Sequence, residues 1–103
     1  MKYKKLRVLV TGACGSIGYK LVERLLKDGH TVCAFDQSED GLFKLDREFK
    51  ERYNNKLKLF VGSVRDEDRL LRAFNGVNIV FHCAALKHVY LSEYNPFEAM
   101  QTN

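Results

Sequence analysis

Thr11-Gly12-Ala13-Cys14-Gly15-Ser16-Ile17-Gly18 decides how this 103-residue chain is read. The stretch lies between a short apolar run, Leu6 to Val10, and a segment in which Ile17, Leu21, Val22, Leu25 and Leu26 recur at helical spacing. The run has the length of a buried strand and the spacing is that of an amphipathic helix, so three glycines occupy a strand-to-helix turn. Each then has a task. Gly12 permits the tight turn, Gly15 lets backbone approach a diphosphate with no side chain in the way, and Gly18 lets the helix pack closely on the strand. Free N–H groups at the helix start meet the phosphates. A glycine turn without such flanks is often only a turn; in this context it predicts a dinucleotide site.

Working outward, Gly29 sits where a left-handed cap closes the first helix, and Thr31 to Phe35 form a second strand ending at Asp36. Asp36 stands eighteen residues past Gly18, where an acid accepts hydrogen bonds from adenosine ribose hydroxyls. With the uncharged Gln37 and Ser38 beside it, this corner favours NAD, because a carboxylate repels a 2′-phosphate. Lys44 and Arg47, a turn or more into the next helix, leave NADP as the weaker alternative. The competing reading of Asp36 is a helix cap.

Leu42, Leu45, Phe49 and Tyr53 mark one face of a second helix that ends at Asn54-Asn55. Leu57 to Val61 form a third strand. Asp66, Glu67 and Asp68 crowd the start of a third helix, with Leu70, Leu71 and Phe74 as its apolar face. Gly76 turns the chain into a fourth strand, Asn78 to Phe81, and Asn95-Pro96-Phe97-Glu98 starts another helix with a capping box. Strands and helices alternate through short connections, so the strands are parallel and the crossovers right-handed. The predicted fold is α/β, a partial Rossmann-type doubly wound sheet of four strands in the order 3-2-1-4. Residues 1–103 are then the N-terminal part of an NAD(P)-binding domain. The fourth strand is left as an edge, which predicts self-association or a homo-oligomer.

Composition bounds the function. Apolar residues are 46% and charged residues 29% of the chain, an ordinary globular balance. No apolar run approaches the roughly 20 residues of a membrane span, and a cytoplasmic location is expected. The net charge of +4 draws on Lys2, Lys4, Lys5 and Arg7 ahead of the first strand. No basic stripe with interleaved aromatics accompanies it, so nucleic acid is not expected as a partner. Cys14, Cys33 and Cys83 show neither metal-ligand nor redox spacing, and no metal site is expected. They read as small apolar fillers, except that a helix N-terminus beside Cys14 would lower its pKa and make it modifiable. His82 is expected to satisfy backbone at the end of a buried strand, His30 to lie on the surface, and His88 to be the histidine that faces a ligand.

The TGxxGxxG loop resembles that of the extended short-chain dehydrogenase/reductases. Gly62-Ser63-Val64-Arg65-Asp66, His82-Cys83-Ala84-Ala85-Leu86-Lys87-His88-Val89, Glu93-Tyr94-Asn95-Pro96-Phe97-Glu98 and Thr102-Asn103 are similar to stretches of nucleotide-sugar 4,6-dehydratases of the UDP-N-acetylglucosamine type, enzymes of polysaccharide and glycan biosynthesis. The resemblance implies that Cys14, Gly15, Ser16 and Ile17 lie against the cofactor phosphates and that Asp36 meets the ribose. It further implies that Ser63 and Val64 flank the adenine, that Cys83, Ala84 and Ala85 lie beside the cofactor, and that Lys87, with His88, approaches the cofactor or a sugar-nucleotide substrate. Three positions depart from the pattern: Ser63 replaces aspartate, Cys83 replaces alanine, and Tyr90 replaces proline.

For a whole enzyme the resemblance implies hydride removal from C4 of the hexose by NAD⁺, elimination of water across C5 and C6, and hydride return to C6. That chemistry needs an activated tyrosine in a YxxxK arrangement. Tyr3, Tyr19, Tyr53, Tyr90 and Tyr94 are followed four residues later by Arg7, Glu23, Leu57, Tyr94 and Glu98, so no catalytic residue is assigned within these residues. The last helix has a start and no stop signal, so the chain reads as the binding part of such an enzyme. Two alternatives stand beside the dehydratase: part of a nucleotide-sugar 4-epimerase, or a free-standing NAD-sensing or interaction module without chemistry.

Overall fold

Unbroken short runs of apolar residues bury both faces of a strand, and helices must then cover both sides. The computed structural model, which describes residues 4–83, builds this arrangement. Its elements are β1 (Arg7–Thr11), α1 (Ser16–Lys27), β2 (Thr31–Asp36), α2 (Glu39–Tyr53), a single 3₁₀ turn at Asn54–Lys56, β3 (Leu57–Val61), α3 (Glu67–Ala73) and β4 (Ile79–His82). The strands form one parallel sheet in the order β3-β2-β1-β4. β1 is central, pairing Val10 with Ala34 of β2 on one side and with Phe81 of β4 on the other. The carboxyl ends of β1, β2 and β4 therefore share one rim, where the strand order reverses.

Side-chain alternation sorts the core into two layers. Val8, Val10, Val32, Ala34 and Leu57 meet Val22 and Leu26 of α1 and Leu42, Leu45 and Phe49 of α2. Leu9, Cys33 and Phe35 point to the other face, where Ala73 of α3 and the partly buried Leu70 cover them. Gly29 ends α1 at φ +90°, as its position predicted. The Asp66 carboxylate accepts from the Arg69 amide and caps α3.

Two expectations change. Leu71 and Phe74 are not the buried face of α3: Leu71 is 61% exposed and Phe74 38%, because Leu70 and Ala73 are turned toward the sheet. The fourth strand starts one residue later than expected, since the Asn78 side chain accepts from the Arg7 amide and is used in the turn. Ile79, Val80 and Phe81 are each about 40% exposed, so β4 is the less protected edge of the described sheet.

Candidate functional site

The glycine loop closes on itself before α1 begins. Gly12 adopts φ +68°, and its carbonyl accepts from the Gly15 amide at 3.1 Å. The Ala13 amide donates to the Phe35 carbonyl at 3.3 Å, joining the loop to β2. A Cβ on Gly18 would collide with the Gly12 carbonyl oxygen and come within 2.9 Å of Ala13 Cα, so helix and loop touch backbone to backbone there. Gly15 is different. A Cβ there would meet nothing closer than the Gly12 oxygen at 3.4 Å, an ordinary contact, and the space beyond is open.

Gly15 is also the N-cap of α1. No side chain caps that turn and no acid lies in it. Gly15, Ser16 and Ile17 are all exposed, Ile17 by 59%, so the positive end of the helix dipole opens to solvent. This cradle fits a diphosphate: the amides are presented, the dipole has the right sign, and the one position where a side chain would intrude has none.

Asp36 closes the adjacent corner. Its Oδ2 accepts from the Cys14 amide at 2.9 Å and its Oδ1 from the Ser38 amide at 2.9 Å. Asp36 is therefore not the cap of α2. Ser38 is, its hydroxyl accepting from the Gly41 amide at 3.0 Å and its carbonyl from Leu42. Each carboxylate oxygen has two acceptor sites, so Asp36 retains capacity for ribose hydroxyls while being locked by the loop it serves. Gln37 is exposed beside it.

Cys14 overturns one expectation. The half-buried thiol has its pKa pushed up to about 12, first by burial, then by the Asp36 charge and by hydrogen bonding to Asp36. The helix terminus does not lower it, because the adjacent carboxylate and the loss of water outweigh the dipole. At neutral pH Cys14 is a protonated, poorly nucleophilic thiol.

Ser63 and Val64 lie just past the end of β3, in the connection to α3. The Ser63 hydroxyl accepts from the Arg65 amide at 3.1 Å, shaping the turn into α3, and Val64 packs on the Leu9–Phe35 layer. Cys83 packs against the layer formed with α1 and α2, and burial raises its pKa. Ala84, Ala85, Lys87, His88 and the Asn95–Glu98 helix start lie outside the described residues.

Two other histidines correct expectations. His82 serves a side chain, not backbone: its Nδ1 lies 2.7 Å from the hydroxyl of the buried Thr11, tying β4 to β1. His30 is part-buried, with Nδ1 accepting from the Leu6 amide at 3.0 Å. Burial lowers the His82 pKa below its ordinary 6.5. Folding therefore favours the neutral ring, and its stabilisation is complete above the unfolded-state pKa and is lost as pH falls from there through the lowered folded-state pKa. Thermal melts from pH 7.5 to 5 should fall more steeply in the wild type than in His82→Phe; parallel profiles would refute this.

Sequence reasoning missed Thr11 and Gly41 as site residues. Thr11 looked like the strand's last residue, and nothing local marks its partner 71 positions away. Gly41 did carry a signal, since a glycine in the first turn of a helix costs about 1 kcal/mol against alanine. A Cβ there would fall 2.6 Å from Cys14 Sγ. Among the described residues no group of three or more His, Cys, Asp or Glu is placed to hold a metal ion, and no helix is long and apolar enough to cross a membrane.

Comparison with known proteins agrees with this geometry. The chain is 51% identical over 102 residues to a Methanocaldococcus jannaschii protein described as "Uncharacterized membrane protein MJ1061", covering 98% of this chain and 30% of that protein. It is 36% identical over 98 residues to an inverting UDP-N-acetylglucosamine 4,6-dehydratase of Campylobacter jejuni, covering 93% and 28%. A UDP-glucose 4-epimerase of Rickettsia rickettsii is 39% identical over 101 residues, covering 93% and 29%. The chain thus spans about 30% of the length of the curated relatives it matches. Among solved structures, Pen from Bacillus thuringiensis superposes with a TM-score of 0.76 at 37% identity, over 98% of this chain and 31% of that one. The Bordetella bronchiseptica enzyme WbmG in complex with NAD and UDP superposes with a TM-score of 0.63 at 30% identity, over 77% and 25%. Residues 8–103 match the family described as polysaccharide biosynthesis protein, and with the doubly wound sheet and its glycine loop, the chain belongs to that family.

Proposed function

We propose that this chain is the dinucleotide-binding portion of an NAD-dependent nucleotide-sugar 4,6-dehydratase acting on UDP-N-acetylglucosamine in polysaccharide biosynthesis. The observation that carries the reading is the open backbone at Gly15, set at the uncapped start of α1 beside the locked carboxylate of Asp36. The dehydratase relative supports the substrate class, and the WbmG complex supports the cofactor class. A bound nicotinamide would supply the hydride acceptor. The residues of this chain bind and orient: amides near Gly15 hold the diphosphate, Asp36 accepts from the ribose, and Ser63 and Val64 border the adenine. By the same resemblance, Ala84 and Ala85 are proposed to lie beside the cofactor and Lys87 and His88 to approach the cofactor or the sugar nucleotide.

Calorimetric titration of the 103-residue chain with NAD⁺ and NADP⁺ tests this. Binding of NAD⁺ in preference to NADP⁺, weakened about tenfold or more in Asp36→Ala, is the expected result. Binding of neither nucleotide would overturn it. Turnover of UDP-N-acetylglucosamine by this chain is not expected, because no YxxxK pair is present to activate a hydroxyl.

The apolar edge at Ile79–Phe81 supports self-association of the chain. Light scattering should show dimers or larger species that dissociate in Val80→Lys; a monomer at high concentration would contradict it.

A further inference from the structure

We infer that Cys14 sets the nucleotide preference of this site by fixing the Asp36 carboxylate from two directions, directly with its amide and through Ser38 with its thiol, against a floor that only glycine at position 41 leaves room for. The inference rests on the dinucleotide reading above and adds a positioning residue to it.

Three observations converge. The Cys14 amide donates to Asp36 Oδ2 at 2.9 Å. The Cys14 thiol reaches the residue that holds the other oxygen: Sγ lies 4.0 Å from the Ser38 carbonyl oxygen, to which it donates, and the Ser38 amide donates to Asp36 Oδ1 at 2.9 Å. α2 enters so close that a Cβ at Gly41 would sit 2.6 Å from Cys14 Sγ and 2.7 Å from its Cβ. Cys14 is thus wedged between the acid and the first turn of α2.

The consequence concerns charge. A ribose 2′-hydroxyl donates to a carboxylate, whereas a 2′-phosphate needs that carboxylate to swing away. Ser38 holds Oδ1, the Cys14 amide holds Oδ2, and the thiol ties Ser38 in place, so the swing is opposed at both oxygens. Removing the thiol frees Ser38 and with it the restraint on Oδ1. Serine at position 14 keeps a donor of similar shape.

The test is NAD⁺ and NADP⁺ titration of wild type, Cys14→Ala, Cys14→Ser and Gly41→Ala, with thermal melts for each. Cys14→Ala should narrow the NAD⁺ over NADP⁺ preference about fivefold to tenfold, mainly by weakening NAD⁺. Cys14→Ser should stay within about twofold of wild type. Gly41→Ala, which displaces the thiol without removing it, should narrow the preference in the same direction. An unchanged preference in folded Cys14→Ala and Gly41→Ala would overturn the inference while leaving the dinucleotide reading intact. Wild type that binds neither nucleotide would overturn both.

Discussion

Gly18→Ala is expected to destabilise the protein by on the order of 3 kcal/mol, while Gly15→Ala leaves stability nearly unchanged and weakens the proposed nucleotide binding. The two glycines sit three residues apart in one motif, yet they meet different surroundings. At Gly18 a methyl group would strike the Gly12 carbonyl and approach Ala13 Cα to 2.9 Å, both backbone atoms of a turn already closed by the Gly15 amide. Neither can rotate aside, so α1 must lift from β1 and the packing of Val22 and Leu26 is lost with it. In a domain of this size that is a fall of roughly 10–20 °C in Tm. Gly15 has φ −73° and ψ 167°, which alanine adopts without strain, and its Cβ would meet only the Gly12 oxygen at 3.4 Å, an ordinary contact. Alanine there even restricts the unfolded chain. The same methyl group occupies the approach of a diphosphate, so NAD⁺ affinity should fall about tenfold or more. Denaturation and calorimetry on both variants check the contrast; equal Tm losses would show that the loop has no open face.

Phe49→Ala should cost about 3–5 kcal/mol, with Phe49→Leu much milder at roughly 1–1.5. The Phe49 ring is buried where α2 meets α1, 5.4 Å from the Tyr19 ring and 6.3 Å from Tyr53, with the Arg52 guanidinium 5.8 Å from its centre. Truncation leaves a cavity that neighbours on two helices cannot collapse into without moving the sheet. The site should feel it too. α2 carries Ser38 and Gly41 against the glycine loop, so a loosened α2 relaxes the hold on Asp36 and weakens NAD⁺ beyond what unfolding explains. Urea melts give the stability term, and titration below the unfolding transition gives the second; intact affinity in folded Phe49→Leu would separate α2 packing from the site.

Much of this was legible in the chain itself. Leu6 to Val10, Thr31 to Phe35 and Leu57 to Val61 carry short apolar runs of strand length, the first followed by a glycine turn and the other two by capped or acidic helix starts. Period and punctuation are local properties, so they revealed the elements, their parallel sense and the order β3-β2-β1-β4. The placement of Gly12, Gly15, Gly18 and Asp36 was legible for the same reason: it follows from position relative to a strand end. The exposed Leu71 was misjudged because an apolar residue at helical spacing says nothing about how far the neighbouring layer extends.

What the amino-acid order determined alone was therefore the fold, the cradle at the start of α1 and the acid beside it, since backbone conformation and hydrophobic period are encoded within a few residues. Tertiary structure decided the rest. It set Cys14 as a protonated thiol rather than a reactive one, because burial and the Asp36 charge come from a strand 22 residues away. It gave His82 a hydroxyl partner on β1, and it made Gly41 a spacer for Cys14. Charge, solvent exclusion and close approach act through space, and only the folded sheet brings those residues within their range.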